Sequence, residues 1–172
     1  MKPDIKHKFE KTYESESDAI FRFCLVRVSN REQALDITQE TFLRLWQSLI
    51  EGKDILNNRA FLFTVARRLI IDWYRKKKSI SFNDMDYDDE DPQFDPPDES
   101  SRSLFLGAEG RYLIDKINDL APGYRQPIYL RFVEDLSPAE IAEILGISTN
   151  AASVRINRGL AELRKKTGYD NK

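Results

Sequence analysis

The segment from Asp84 to Ser100, DMDYDDEDPQFDPPDES, most limits how this chain can fold. It combines three prolines with a run of acids and has little aliphatic content from which a core could be built. The stretches on either side follow helical spacing and lack the sustained alternation typical of strands. The sequence therefore predicts an all-α protein with two small helical domains, at residues 1–78 and 104–172, joined by a flexible acidic linker at 79–103.

Charge is distributed unevenly along the 172 residues. Residues 1–78 carry 16 basic and 11 acidic side chains. Residues 79–103 carry one basic and nine acidic side chains, and residues 104–172 carry 10 basic and nine acidic ones. Segregation of this kind suggests separate functions along the chain. No apolar run approaches the roughly 18 residues that span a bilayer. The single cysteine, Cys24, excludes an internal disulfide. We expect a cytoplasmic protein without membrane insertion.

Two long helices are predicted in the first domain. The inward face of REQALDITQETFLRLWQSLI is expected to carry Leu35, Thr38, Phe42, Leu45, Trp46 and Leu49. Its opposite face carries Asp36, Gln39, Glu40, Leu43 and Gln47. In FLFTVARRLIIDWYRKKK the expected inner stripe is Leu62, Val65, Ala66, Leu69 and Trp73, and the outer face is Arg67, Arg68, Tyr74, Arg75 and Lys76. A turn-rich loop with Gly52 joins the two helices.

The basic and aromatic residues of the second helix admit two interpretations. Rings interleaved with Arg and Lys suit single-stranded nucleic acid, because bases stack on the rings and phosphates pair with the cations. A tryptophan at core spacing and a basic helix end are just as typical of ordinary packing and of compensation of the helix dipole. Spacing alone leaves both open, and the charged face of the preceding helix is more typical of a solvated surface.

The segment SPAEIAEILGISTNAASVRINRGLAELRKK, residues 137–166, predicts a helix-turn-helix. Ser137 and Glu140 have the spacing of a capping box, and Gly146 and Ser148 separate the two helices. The second helix is expected to bury Ala152, Ile156, Gly159 and Leu163. A helix that begins near Gln126 is expected to precede the motif, because Pro127 suits a first turn.

A helix-turn-helix of this kind places its second helix in the major groove of DNA. The polar residues that could reach base edges are Thr149, Asn150, Ser153 and Asn157. The basic residues placed for phosphates are Arg155, Arg158 and Arg164. A helical hairpin that only packs is the alternative.

LDITQETFLRLWQ followed by FLFTVARRLIIDWYRKK resembles the region-2 signature of bacterial sigma factors of the extracytoplasmic function (ECF) group. LSPAEIAEILGISTNAASVRINRGLAELRK resembles region 4 of the same group. Sigma factors direct RNA polymerase to promoters and open them. The resemblance implies that the chain is not an enzyme and needs no cofactor or metal. Its implied partners are core RNA polymerase, promoter DNA and an anti-sigma factor.

The resemblance also implies functions for individual residues. The face with Asp36, Gln39, Glu40, Leu43 and Gln47 would bind the coiled coil of the largest polymerase subunit. The loop with Asp54, Asn57, Asn58 and Arg59 would capture a flipped base of the minus-ten element. The opening strand would be held by Arg67, Arg68, Trp73, Tyr74 and Arg75. The helix from Thr149 would read the minus-thirty-five element as duplex.

Three places differ from the family pattern. Arg68 stands where an asparagine is usual, and Asn150, Ala151 and Ala152 replace a common Gly-Thr-Val. Gly159 stands where alanine is common, at a cost of up to ~1 kcal/mol in helix propensity.

The acidic linker is long enough to separate two DNA-reading domains, since its 25 residues span at most about 85 Å. Its sign suggests that it occupies a basic polymerase surface until RNA displaces it, or that it covers the DNA-facing surfaces of the free protein. A solvated spacer extended by self-repulsion is the remaining interpretation.

Two other classes of function are possible. A stand-alone helix-turn-helix regulator would explain residues 104–172 but leave the first domain without a role. A small nuclease would need placed metal ligands, whereas the acids here lie in a flexible linker and the one histidine, His7, lies in an N-terminus expected to be irregular.

Overall fold

A computed structural model describes residues 3–80 and 107–168 of the chain. Its helices are α1 (Pro3–Val28), α2 (Arg31–Ile50), α3 (Asn58–Ile80), α4 (Ala108–Asn118), α5 (Pro122–Phe132), α6 (Pro138–Leu145) and α7 (Thr149–Thr167). Neither described range contains a strand, so the predicted all-α class is confirmed. The predicted linker lies outside the described residues except for its first two, which extend α3.

The chain divides into two compact units. One contains α1 to α3, and the other contains α4 to α7. Each unit has its own buried apolar residues. The domain boundaries at 78/79 and 103/104 remain predictions.

Helix α1 packs against both α2 and α3 and completes the core of the first unit. Its second half buries Ile20, Phe23 and Val26, and the Phe23 ring meets Phe63 of α3 edge to face with the centroids 5.1 Å apart. This helix was not predicted, because its first half is mostly charged and polar and shows little apolar spacing. The expectation of an irregular N-terminus was wrong, since His7 lies on α1.

The C-terminal half of α1 also buries the side chains of Cys24 and Arg27. Arg27 is fully buried, with its guanidinium carbon 3.5 Å from the centre of the Phe23 ring and Nη1 donating to the Phe23 carbonyl at 3.0 Å. Burial raises the pKa of the Cys24 thiol to about 12, although a hydrogen bond with Thr38 and the charge of Arg27 both act to lower it. Cys24 is therefore a neutral thiol within the core.

The inner stripes of α2 and α3 differ from the prediction at a few positions. Leu35 is 36% exposed. On α3, Leu69 and Trp73 are half-buried, while Ile70 and Tyr74 enter the core. The core of α3 is therefore rotated by one residue from the predicted stripe near its C-terminal end, because the helix faces both α1 and α2.

In the second unit α5 begins at Pro122, four residues before the predicted start. Pro122 occupies the first turn, where a proline is well tolerated, and Pro127 lies inside the helix. The predicted start near Gln126 was therefore wrong. Residues 126–130 are all buried, and the free energy gained from this burial offsets the loss of the hydrogen bond that an internal proline removes.

The predicted capping signals of the helix-turn-helix are confirmed. Ser137 accepts from the Glu140 backbone N–H and the Glu140 side chain accepts from that of Ser137, which makes the capping box. Gly146 ends α6 in the left-handed region at φ 66°, and Ser148 caps α7 by accepting from the Ala151 N–H at 3.1 Å. The buried face of α7 is the predicted one: Ala152, Ile156, Gly159 and Leu163.

Gly159 lies where α7 crosses α5. A Cβ built at this position would be 2.7 Å from Ile128 Cγ1 and 3.0 Å from Tyr124 Cβ, well inside van der Waals contact. Ile128 is fully buried and cannot retreat into solvent. The glycine therefore permits close approach of the two helices, which explains why it is present despite its poor helix propensity.

We predict that Gly159→Ala lowers the free energy of unfolding, because the overpacking cost of about 1–3 kcal/mol exceeds the ~1 kcal/mol gained in helix propensity. Thermal or denaturant unfolding of the full chain measures this. Gly123→Ala is the matched control, since a Cβ at Gly123 of α5 meets nothing within 4 Å. Equal or greater stability of Gly159→Ala than of Gly123→Ala would contradict the prediction.

Candidate protein and nucleic-acid interfaces

The outer face of α2 is the first candidate interface. Asp36, Gln39, Leu43 and Gln47 are exposed, and Glu40 is half-buried and paired with Arg44 at 2.8 Å. Leu43 exposes 48% of its surface, and Ile50, seven residues further, exposes 55%. Large apolar side chains spaced by seven residues on an exposed helix face suit contact with another helix.

An apolar groove of about 470 Å³ adjoins this face. It is lined by Leu43 and Trp46 of α2 and by Lys6, Phe9 and Glu10 of α1. The rings of Phe9 and Trp46 meet edge to face, with centroids 5.0 Å apart. The groove was not predicted because three of its five lining residues lie on α1, although the aromatic residues Phe9 and Tyr13, four apart, were a visible signal.

The loop from α2 to α3 is held by hydrogen bonds at both ends. Gly52 has φ 73°, and the Lys53 N–H donates to the Ser48 carbonyl at 3.0 Å. At the other end the Asn57 side chain accepts from the Ala60 N–H at 3.0 Å and so caps α3. These contacts give the loop one defined path between the helices.

The first residues of α3 are fastened to α1. Asn58 Nδ2 donates to Thr12 Oγ1 at 3.0 Å, and Arg59 lies 3.1 Å from Glu16. Asn57, Asn58 and Arg59 are half-buried and make contacts within the unit, whereas Asp54 is exposed. Leu56 is 94% exposed at the outermost part of this loop and was not among the predicted site residues.

The outer face of α3 is basic, as predicted, but Tyr74 is not part of it. Arg68 and Arg75 are exposed, and Arg67 is half-buried. Trp73 is half-buried, with its ring 4.8 Å from that of Tyr74 and 5.1 Å from the Lys77 ammonium. An indole at the edge of a cationic face can offer a surface on which a base stacks.

Tyr74 is 7% exposed, so its predicted place on the outer face was wrong. Its hydroxyl donates to the backbone carbonyl of Arg27 in α1. The physical reason is that a tyrosine can bury its ring if its hydroxyl finds an acceptor, and the C-terminal end of α1 supplies one. Tyr74 therefore joins α3 to α1, and most of its ring lies within the core.

The outer side of α7 is the third candidate interface. Thr149, Asn150, Asn157, Arg158 and Arg164 are exposed, and Ser153 and Arg155 are half-buried. Val154 is also 37% exposed on this helix and was not predicted, because only polar and basic side chains were expected to contact DNA there. The residues of the α2–α3 region and those of α7 belong to different units.

Two kinds of site are absent from the described ranges 3–80 and 107–168. No group of three or more His, Cys, Asp or Glu side chains there could hold a metal ion. No helix within these ranges is long and apolar enough to cross a membrane.

Two family models match the chain. Residues 12–80 match "Sigma-70 region 2", and residues 110–163 match "Sigma-70, region 4". The first match covers α2, α3 and most of α1, and the second covers α5, α6 and most of α4 and α7.

Curated relatives and solved structures agree with these matches. The chain is 34% identical to the ECF RNA polymerase sigma factor SigW of Bacillus subtilis, over 87% of this chain and 83% of SigW. It is 31% identical to the RNA polymerase sigma factor SigV of the same organism, over 84% of this chain and 81% of SigV. The sigma factor RpoE of Bartonella quintana, solved in complex with the anti-sigma factor NepR, shares the fold with a TM-score of 0.70 at 19% identity, covering 95% of this chain and 99% of RpoE.

The burial of Tyr74 leads to a prediction that separates stability from ligand binding. Tyr74→Phe removes a buried hydrogen bond and leaves the Arg27 carbonyl without this donor, so we expect the free energy of unfolding to fall by about 1 kcal/mol. Binding of single-stranded DNA, measured by fluorescence anisotropy below the unfolding range, is expected to stay unchanged.

The neighbouring variant Arg75→Gln is the matched control, because Arg75 is exposed. It is expected to change stability by less than about 0.5 kcal/mol and to weaken DNA binding. Loss of DNA affinity in a stably folded Tyr74→Phe protein would show that the ring or hydroxyl does reach the ligand.

Proposed function

The chain belongs to the sigma factors of the ECF group, which act in transcription initiation, and we propose that it binds core RNA polymerase, recognises minus-thirty-five and minus-ten promoter elements and promotes DNA opening. Two family regions in this order distinguish a sigma factor from a regulator that only binds an operator. The observation that carries the proposal is the match of residues 12–80 to region 2, in a unit where α2 leaves an apolar and polar face uncovered.

The outer face of α2 is the proposed polymerase contact. Its exposed members, with the half-buried Glu40, are the residues predicted for the coiled coil of the largest polymerase subunit: Asp36, Gln39, Glu40, Leu43 and Gln47. Leu43 supports this assignment, because a half-exposed leucine beside an apolar groove gains more from a helical partner than from solvent. The groove extends the proposed contact from α2 onto α1.

The minus-ten element is proposed to meet the α2–α3 loop and the basic face of α3. Asp54 and the backbone of the α2–α3 loop form the proposed base pocket. Asn57, Asn58 and Arg59 would stabilise the conformation of this loop through their contacts within the unit. Arg67, Arg68 and Arg75 offer charge to the separating strand and Trp73 offers a stacking surface. Tyr74 acts only through its place in the core.

The minus-thirty-five element is proposed to be read as duplex by α7. The side chains near its start, Thr149, Asn150, Ser153 and Asn157, would face base edges in the major groove. Arg155, Arg158 and Arg164 would contact phosphates and make binding depend on salt. The capped start and the tight crossing at Gly159 support this, because both orient the helix relative to the rest of its unit.

An anti-sigma factor is proposed as a further partner. Bartonella quintana RpoE, a neighbour in fold, was solved with one. The uncovered α2 face and its groove are the natural target, since a protein that covers them would block polymerase binding. The chain is proposed to work where the polymerase does, in the cytoplasm, as a transcription factor and not as an enzyme.

Run-off transcription tests the proposed function. Core RNA polymerase transcribes a library of randomised promoters with and without the full-length chain, and we expect chain-dependent start sites that share two spaced motifs. Failure to bind core polymerase, together with tight binding of duplex DNA by the chain alone, would instead establish a stand-alone regulator.

A charge placed on the α2 face tests the polymerase contact. Leu43→Glu is expected to weaken binding to core polymerase at least tenfold, which corresponds to about 1.4 kcal/mol, because it puts a carboxylate into an apolar contact. Leu56→Glu makes the same change at a 94% exposed position outside that face and is expected to bind core polymerase normally. Equal effects of the two variants in a pull-down or in anisotropy would remove the α2 face from the proposal.

A further inference from the structure

Val154 lies on the outer side of α7 between two asparagines. Asn150 precedes it by four residues and Asn157 follows it by three, so the three side chains share one face of the helix. Both asparagines are exposed, and Val154 is 37% exposed. The opposite side of α7 buries Ala152, Ile156, Gly159 and Leu163.

Asn150, Val154 and Asn157 form a row along this face, and their residue types are unfavourable for a helix that faces only water. Valine and asparagine both have lower helix propensity than alanine, valine because its branched side chain loses rotamer freedom and asparagine because its amide competes for backbone hydrogen bonds. Val154 nevertheless keeps 37% of its surface exposed at this position. Departures from local preference on an exposed face are expected where a chain binds a ligand.

The chemistry of the row matches the edges of A·T base pairs in the major groove. An asparagine side chain can make two hydrogen bonds to N6 and N7 of adenine, and an apolar side chain fits against the C5-methyl group of thymine. Along a helix that rises 1.5 Å per residue, Val154 lies about 6 Å from Asn150 and about 4.5 Å from Asn157, which corresponds to one or two base-pair steps.

We propose that Val154 determines specificity by contacting the C5-methyl group of a thymine in the duplex promoter element, within two base pairs of the bases that Asn150 and Asn157 read. The inference rests on the proposed function, in which α7 enters the major groove. Val154 would be the one apolar base contact in a row of hydrogen-bonding side chains.

The test uses the methyl group as the variable. The full-length chain, with and without core polymerase, selects bound duplexes from a pool randomised over the element, and thymine is then replaced by deoxyuridine at each selected position in turn. We expect binding to fall about fourfold at one position, the effect of one buried methyl group. Val154→Ala is expected to bind the thymine and deoxyuridine duplexes equally and to lose its preference at that base pair alone.

Val133→Ala is the matched control, because it removes the same atoms from a half-buried valine outside α7. It is expected to keep the thymine preference, and unfolding curves show whether both variants are folded. The inference is overturned if the wild-type chain does not distinguish thymine from deoxyuridine at any position, or if Val154→Ala retains the discrimination. Failure of the proposed function has a separate signature, the absence of chain-dependent transcripts, which does not involve deoxyuridine.

Discussion

The packing of α1 against α2 and α3 determines where every exposed face of the first unit lies. Phe23 and Phe63 meet at the centre of this packing, and α3 is joined to α1 at both ends. Its start is held by the contact of Asn58 with Thr12, and its later part by the hydrogen bond from Tyr74 to the Arg27 carbonyl. With both ends fixed, the basic side of α3 cannot rotate into the core, and the α2–α3 loop keeps its position beside it.

The second unit fixes α7 in a comparable way with different chemistry. Ser148 caps its start, Gly159 admits close contact with α5, and Glu162 accepts from the Ala121 N–H at 3.1 Å, which joins α7 to the start of α5. These contacts act on the buried side and at the ends of the helix. The outer side is left free to carry side chains chosen for a ligand, so stability and recognition are assigned to different residues.

Signals that act locally were readable from the sequence. The capping box at Ser137, the stop at Gly146 and the buried face of α7 each depend on residues within one or two turns, and they appear as predicted. What depends on distant partners was not readable. Tyr74 enters the core because α1 offers it an acceptor, α5 runs through Pro127 because its neighbours bury residues 126–130, and the groove at Trp46 exists because α1 covers one side of it. The exposed residues Leu56 and Val154 were missed because no aliphatic side chain was expected to contact DNA.

The close crossing of α5 and α7 has a consequence for how binding preference can be exchanged between related proteins. No methyl group fits between Gly159 and Ile128. The angle between α7 and α5 therefore depends on residues of both helices. A chimera that imports α7 whole would seat it against an unmatched α5 and tilt its outer side. Grafting only the outward side chains onto the resident helix preserves that angle, which makes the exposed row, and not the helix, the transferable module.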